Sequence, residues 1–227
     1  MGNRTRFGLG LLLTALAGWI DAIGFISLGG FYVSFMSGNT TQLGIGLTRF
    51  DMSVVRLPAV LLACFVLGAF AGTLLHSLSG RWHLPAILVL EGVLLGLALA
   101  FSFFQTPTLG ATAPLAIAMG TQNAALRSDR GHQIGGTFVT GTVFGLGEKL
   151  ALWCLRRGGP LPAFRHALGW LALAAGAAAG TWAFATDGLL ALAVPGGCLL
   201  ILAGVTALIT LKAGDGTPAE EWSDQLS

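Results

Sequence analysis

The chain has 227 residues, of which 54% are hydrophobic and only 10% are charged, and its mean hydropathy is +0.78. About 25% of the residues of a typical soluble domain are charged, so this composition excludes a water-facing surface of ordinary size. The net charge of +2 offers no basic surface for nucleic acid. We therefore predict one integral membrane protein in contact with the lipid bilayer and no nucleic-acid partner.

Hydrophobic runs bounded by charged, proline or turn residues define the predicted elements. A spanning helix needs about 20 mainly apolar residues. The runs that approach or exceed this length are Phe7–Leu28, Leu57–Leu78, Leu84–Phe104, Leu109–Leu126, Ala163–Ala185 and Gly188–Leu211. Two weaker segments, 31–47 and 136–155, are shorter or more polar. The predicted fold class is all-α, with six full transmembrane helices plus two short interrupted or re-entrant segments. Eight transmembrane helices are the alternative.

The first run has some features of a secretory signal peptide. Arg4 and Arg6 precede it, and Ala15-Leu16-Ala17 lies inside it as a candidate cleavage site. Hydrophobic segments nevertheless continue to the end of the chain, so we expect the first run to remain as an uncleaved helix.

The distribution of arginines bears on the number of spans. With six spans only Arg49 and Arg56 fall outside, whereas with eight spans Arg81, Arg127 and Arg130 do. Because positive charge accumulates in cytoplasmic loops, six spans are slightly favoured. Both arrangements place the two termini in the cytoplasm.

The two halves of the chain resemble each other, which indicates an internal repeat. The matched stretches are Gly18–Ala22 with Gly120–Ala124, Phe35–Gly38 with Phe138–Gly141, and Gly68–Thr73 with Gly176–Thr181. Shared low-complexity composition is the alternative explanation. The predicted units are 1–105 and 106–212, followed by a polar acidic tail at 213–227. Three spans in each unit would invert the second unit relative to the first, as in many secondary transporters.

Asp21 lies deep in the first run, with no basic residue within a helical turn. A charge at such depth costs at least about 2.5–3.5 kcal/mol, so it usually faces a cavity or a partner. We predict that Asp21 carries a proton or a cation. The alternative is that Asp21 lies near the outer interface and is hydrated.

Each weak segment contains a glycine, Gly38 or Gly141, among small polar residues, and we predict a helix break at both. A helix that begins inside the membrane presents free N–H groups and a positive dipole end, which favours an anionic or carbonyl-bearing solute. The predicted solute-binding residues are Asp21, Asn39, Thr40, Gln122, Asn123, Thr140 and Thr142. The alternative is that the small polar residues only join helices.

Other residues carry weaker signals. Pairs of glycines four apart, such as Gly68/Gly72, favour close helix crossing. Glu91 is either a cavity carboxylate or one that reaches the interface, and the sequence does not decide between them. The cysteines and histidines have no metal-ligand spacing, and no nucleophile motif or phosphate loop is present. We expect no enzyme activity, no cofactor and no metal.

Several blocks resemble the signature of the YoaK family of bacterial inner-membrane proteins. They are Ala17–Ala22, Leu28–Gly30, Met36–Thr40, Met119–Ala124 and Thr137–Thr142. Trp19 replaces a tyrosine that is frequent in that family. The resemblance implies a multi-pass protein of the inner (plasma) membrane with about six spans and a domain of unknown function, and it implies no particular substrate.

The leading functional prediction is a small-solute transporter with a midplane polar site between the two repeats. Its transport is either coupled to protons or not. The solute is unknown. A passive channel is the alternative, and a non-transporting membrane assembly protein is a third class. A homodimer is compatible with the glycine-rich faces.

Overall fold

The computed structural model describes residues 3–103, 109–125 and 139–214. Within these ranges the chain forms eight α-helices. They are α1 (Asn3–Ser27), α2 (Met36–Thr48), α3 (Met52–Leu78), α4 (His83–Ser102), α5 (Leu109–Gln122), α6 (Val139–Cys154), α7 (Pro160–Asp187) and α8 (Ala193–Gly214). Two 3₁₀ segments, Gly80–Trp82 and Gly188–Leu192, precede α4 and α8. The predicted all-α class is confirmed for these residues.

The helices form a long group and a short group. Helices α1, α3, α4, α7 and α8 contain 20 to 28 residues, and 20 residues extend about 30 Å, the thickness of the hydrocarbon core. In the described ranges, four helical stretches are long and apolar enough to cross a membrane, and the last of them, Pro160–Lys212, covers α7 and nearly all of α8. Helices α2, α5 and α6 have 13, 14 and 16 residues, which is short for a crossing.

Helix α5 ends earlier than the hydrophobic run that predicts it. The run extends to Leu126, but the helix stops at Gln122. The amides of Ala124 and Ala125 donate to carbonyls three residues back, those of Thr121 and Gln122, so the chain tightens into a turn. Leu126, the start of segment 136–155 and all but the first two residues of the tail lie outside the described residues.

The outer faces of the bundle carry large apolar side chains. Phe70, Phe144, Trp182 and Ile201 are each at least two-thirds exposed. Soluble monomers rarely expose large contiguous apolar patches, whereas lipid tails cover such side chains in a membrane. The fully buried side chains include Ile20, Leu88, Leu95, Met119 and Leu199, so α1, α4, α5 and α8 all contribute to the core.

Helices α1 and α7 cross at a point where glycines allow the backbones to touch. A Cβ atom added to Gly176 would overlap the carbonyl oxygen of Ala15, and one added to Gly18 would overlap that of Leu173. Only glycine therefore fits at these positions of the crossing.

Helices α3 and α5 cross in the same manner. A Cβ atom at Gly68 would overlap the carbonyl oxygen of Ile117, and one at Gly120 would overlap that of Phe65. The Thr121 hydroxyl also donates to the carbonyl oxygen of Gly68 across the crossing, at 3.1 Å. The predicted packing role is therefore present at Gly68, and an added Cβ at Gly72 would lie 2.9 Å from the carbonyl oxygen of Thr121.

Asp51 caps the N-terminus of α3, and we expect this capping contact to be sensitive to acid. Its Oδ1 accepts hydrogen bonds from the hydroxyl of Ser53 at 2.5 Å and from the amide of Ser53 at 2.9 Å. The hydroxyl bond, followed by the amide bond, lowers the pKa of Asp51 below its usual value of 3.8. The stabilisation is therefore present above pH 3.8 and is lost as the pH falls through the depressed pKa.

We expect the melting temperature of the wild type in detergent to fall more steeply below pH 3.8 than that of Asp51→Asn, which is a neutral cap at every pH. Parallel melting curves for the two proteins across the acid range would contradict this assignment.

Candidate functional site

The chain reverses direction directly after α1. Gly29 and Gly30 have φ angles of 66° and 104°, a left-handed conformation that glycine adopts without strain. Residues 31–35, here called the return segment, then lie back against α1 in a non-helical conformation. Their closeness is evident at Gly24, where an added Cβ would lie 2.9 Å from Cγ1 of Val33. The return segment leads into α2.

Asp21 holds the return segment against α1. Its Oδ1 accepts hydrogen bonds from the backbone amides of Val33 and Ser34, both at 2.9 Å. Unpaired backbone groups at membrane depth are costly, and non-helical backbone is tolerated there only when it is buried in protein or lines a cavity. Oδ1 of Asp21 therefore accepts from two amides that have no helical carbonyl partner. Its predicted role as a proton or cation carrier stays a prediction.

Asn39 completes this arrangement from the opposite side. Its Oδ1 accepts a hydrogen bond from the amide of Tyr32 at 3.1 Å, and its Nδ2 donates to the carbonyl oxygen of Tyr32 at 2.6 Å. The side chain of Asn39 is fully buried. Together, Asp21 and Asn39 satisfy three consecutive amides of the return segment. The structure thus brings these two predicted site residues onto one stretch of backbone.

The helix break lies before Gly38 rather than at it. Gly38 is in the first turn of α2, and a Cβ there would lie 2.9 Å from the ring of Phe35 and 3.2 Å from that of Tyr32. The glycine is therefore needed for aromatic packing over the start of α2. Thr40 is exposed, and its hydroxyl donates to the carbonyl oxygen of Met36 within the same helix.

Gln122 and Asn123 lie where α5 ends. The Nε2 of Gln122 donates to the carbonyl oxygen of Leu13 at 3.2 Å, which links α5 to α1. The Nδ2 of Asn123 donates to the carbonyl oxygen of Met119, one turn earlier. The segment that would correspond to 31–35 under the repeat follows Asn123 and lies outside the described residues.

Thr140, Gly141 and Thr142 occupy the first turns of α6, with Thr140 exposed, so the predicted helix break at Gly141 is wrong. Helix α6 packs against α7 and α2 packs against α3, and no extensive packing joins α2 to α6 in the described part of the chain. The predicted site residues therefore form separate groups rather than one closed cluster. Asp21 with Asn39 is the most tightly built of these groups.

Glu91 is the residue whose position the sequence left undecided. It lies on α4 with 0% of its surface exposed, and neither carboxyl oxygen has a hydrogen-bond partner in the described structure. The interface alternative is therefore wrong, because a side chain that reached the interface would be exposed. No period or motif marks Glu91 as a core residue, so only the packing of α4 identifies it.

The described ranges contain no group of three or more His, Cys, Asp or Glu side chains placed to hold a metal ion. The three cysteines are not joined to one another, and they lie on α3, α6 and α8.

Comparison with known proteins assigns the family. The profile described as "Protein of unknown function (DUF1275)" matches residues 9–205, which is most of the chain. This chain belongs to the DUF1275 family. Asp21, Asn39 and Glu91 of this DUF1275 protein all lie within the matched residues.

Two relatives of this DUF1275 protein carry the same description. The UPF0700 transmembrane protein RA0705 of Rhizobium meliloti (strain 1021) is 37% identical over 157 residues, which are 67% of each chain. The UPF0700 transmembrane protein YoaK of Bacillus subtilis (strain 168) is 28% identical over 146 residues, 62% of this chain and 65% of that protein. No solved structure matches the chain. The resemblance to the YoaK family and the membrane class are confirmed.

Proposed function

We propose that this DUF1275 protein is a small-solute transporter of the bacterial inner membrane, driven by a proton gradient. The observation that carries the proposal is the return segment, a non-helical stretch held by Asp21 and Asn39 inside an apolar helical bundle. Non-helical backbone at the ends of discontinuous helices borders the solute site in many secondary transporters. No catalytic step is part of the proposal.

The two glycine crossings support an architecture of two related units, 1–105 and 106–212. Under the repeat, α1 corresponds to α5 and α3 corresponds to α7. Gly18 of α1 lies against Leu173 of α7, and Gly120 of α5 lies against Phe65 of α3. Equivalent glycines therefore make equivalent contacts, as a pseudo-two-fold relation between the units requires.

The contacts between α4 and α8 favour inverted units with three spans each. An added Cβ at Gly196 would lie 3.6 Å from Cβ of Leu95, and one at Gly92 would lie 2.7 Å from Cδ2 of Leu200. The earlier residue of α4 contacts the later residue of α8, and the later residue of α4 contacts the earlier one. Helices α4 and α8 therefore run antiparallel. These helices end the two proposed units, and antiparallel final helices are expected when each unit crosses the membrane an odd number of times. Eight spans would require four crossings in each unit and parallel helices.

The start of α2 favours an anionic or carbonyl-bearing solute. Asp21 binds the amides of Val33 and Ser34, which precede the helix. The N-cap residue Phe35 offers no side-chain hydrogen bond to the first turn of α2. A helix N-terminus without such a cap attracts negative charge. We place the solute at this end of α2, with both chain termini in the cytoplasm.

Counterflow in proteoliposomes tests the proposal. The purified protein is reconstituted, and exchange of radiolabelled acetate, lactate, succinate and glutamate is measured against an internal pool of the same compound. We expect saturable uptake and countertransport of at least one of these carboxylates. Uptake without saturation or countertransport would favour a channel. A stoichiometric membrane partner together with no flux would favour an assembly protein.

A matched pair of threonine variants locates the site. Thr40 and Thr181 are both exposed, and each donates its hydroxyl to a carbonyl oxygen four residues back in its own helix. Replacing Thr40 with valine should weaken the apparent affinity about tenfold, since one solute hydrogen bond is worth about 1.4 kcal/mol. Thr181→Val should leave it unchanged. Equal effects of the two substitutions on the apparent affinity would show that the start of α2 is not part of the solute site.

A further inference from the structure

Glu91 is a fully buried carboxyl group for which the described structure provides no partner. Its exposed fraction is 0%, and neither Oε1 nor Oε2 has a hydrogen-bond partner. Leu88 and Leu95, one turn before and after it on the same face of α4, are also buried. A buried polar group without a partner is destabilising, so Glu91 is difficult to explain by packing alone.

In the part of the chain that the structure describes, no ion pair involves Glu91. Helix α4 packs against α3, α5, α8 and both 3₁₀ segments. The titratable or charged residues of α4 and these elements are Arg56, Cys64 and His76 on α3, Arg81 in 80–82, His83 on α4, and Cys198 and Lys212 on α8. The ion pair found in the described ranges, Lys149 with Glu148, lies on α6 instead. Among the described residues, an ionised Glu91 would therefore lack a hydrogen-bond donor and an ion pair, and its side chain has no exposed surface.

These observations lead to a proton-binding site distinct from Asp21. We propose that Glu91 is the proton-binding group of this membrane domain, held as a neutral acid in the conformation described here. It releases its proton to water when the contact between α4 and α8 opens. Its carboxylate then remains in a hydrated cavity until a proton returns. The coupling of this step to a solute rests on the proposed transporter function, whereas the protonation state does not.

The position of Glu91 suits such a cycle. The adjacent Gly92 lies against Leu200 and the carbonyl oxygen of Gly196, so Glu91 flanks the contact between the last helices of the two proposed units. Relative movement of those units would change the access of water to this carboxyl group. A charged carboxylate in a closed apolar interface is strongly disfavoured, so closure requires the proton to be bound. This requirement is what couples proton binding to the conformational change.

Infrared spectroscopy of the purified full-length protein tests the protonation state directly. We expect the wild type at neutral pH to have the carbonyl stretch of a protonated carboxylic acid, and Glu91→Gln to lose it. Glu148→Gln is the matched control, because Glu148 is exposed and paired with Lys149; it should lose carboxylate absorption instead. If Glu91→Gln also loses carboxylate absorption at neutral pH, the proposal is overturned while the transporter function stands.

A second variant guards against misfolding. Glu91→Leu replaces the carboxyl group with an apolar side chain of similar size, and its melting temperature should equal or exceed that of the wild type. A large drop in melting temperature for Glu91→Leu would indicate a structural partner for Glu91 and would overturn the proposal.

Transport separates the two proposals. In proteoliposomes, Glu91→Gln should retain counterflow of the carboxylate panel and lose at least tenfold acceleration by an inward proton gradient. If an inward proton gradient does not change the wild-type transport rate, the proposed coupling through Glu91 is overturned. Absence of any wild-type counterflow would instead contradict the proposed transport of these carboxylates and would leave the infrared result as the test of Glu91.

Discussion

Gly176→Ala is expected to destabilise the protein by about 3 kcal/mol, because overpacking a close contact typically costs about 1–3 kcal/mol and backbone atoms cannot rotate away. The added Cβ would overlap the carbonyl oxygen of Ala15, so α1 and α7 would have to separate. This crossing also sets the position of Trp19, whose Nε1 donates to the carbonyl oxygen of Ala191 at 3.1 Å. Separation of the helices would therefore disturb the turn that leads into α8.

The measurement is thermal unfolding of the detergent-solubilised protein, followed by size-exclusion chromatography. Gly204→Ala is the matched control, since Gly204 lies in the long helix α8 and has no heavy atom within 4 Å of an added Cβ. Its stability should change by no more than about 1 kcal/mol, the difference in helix propensity between the two residues. Gly68→Ala should behave like Gly176→Ala because it faces the carbonyl oxygen of Ile117. Equal melting temperatures for Gly176→Ala and Gly204→Ala would refute the close crossing.

Asp21→Ala is expected to release the return segment from α1. The substitution leaves the amides of Val33 and Ser34 without their acceptor, and each unsatisfied buried donor costs about 1–3 kcal/mol. Asp21→Asn keeps one carbonyl oxygen that can accept the same hydrogen bonds, so its loss of stability should be smaller. The return segment should exchange its amide hydrogens much faster in Asp21→Ala than in the wild type.

Hydrogen exchange with mass spectrometry of peptides that cover residues 31–35 measures this effect. Asp187 provides a control: it is the last residue of α7, and Asp187→Ala should leave exchange in the return segment unchanged. Unchanged exchange in Asp21→Ala would show that other contacts hold the return segment. The predicted role of Asp21 as a proton or cation carrier does not depend on this result.

The sequence predicts the all-helical fold class well, but it does not predict the positions of the helix ends or the arrangement of the polar residues. The long apolar runs mark α1, α3, α4, α7 and α8 because lipid requires about 20 apolar residues for a span. In the weak segment 31–47, residues 31–35 are non-helical and α2 is continuous from Met36 onward, so the predicted helix break at Gly38 is wrong. Local sequence cannot locate the non-helical segment, because Asp21 and Asn39, which bind its amides, are separated from it by a turn of the chain.

The sequence also identifies Asp21 and Asn39 as residues of interest without indicating what they bind. The partners of Asp21 lie 12 and 13 residues away, and those of Asn39 lie seven residues away. Such pairings depend on the chain reversal at Gly29 and Gly30, which no periodicity encodes. Gln122 is a similar case, because its partner Leu13 belongs to the other end of the chain.

The membrane class and the helical secondary structure of this protein follow from its amino-acid sequence alone, because an apolar chain with few charges must satisfy its backbone internally in lipid. Only its tertiary structure shows that the side chain of Glu91 is buried and that Asp21 binds the non-helical return segment. Both facts depend on which helix faces pack together, and helices that are apolar on every side carry little information about that choice.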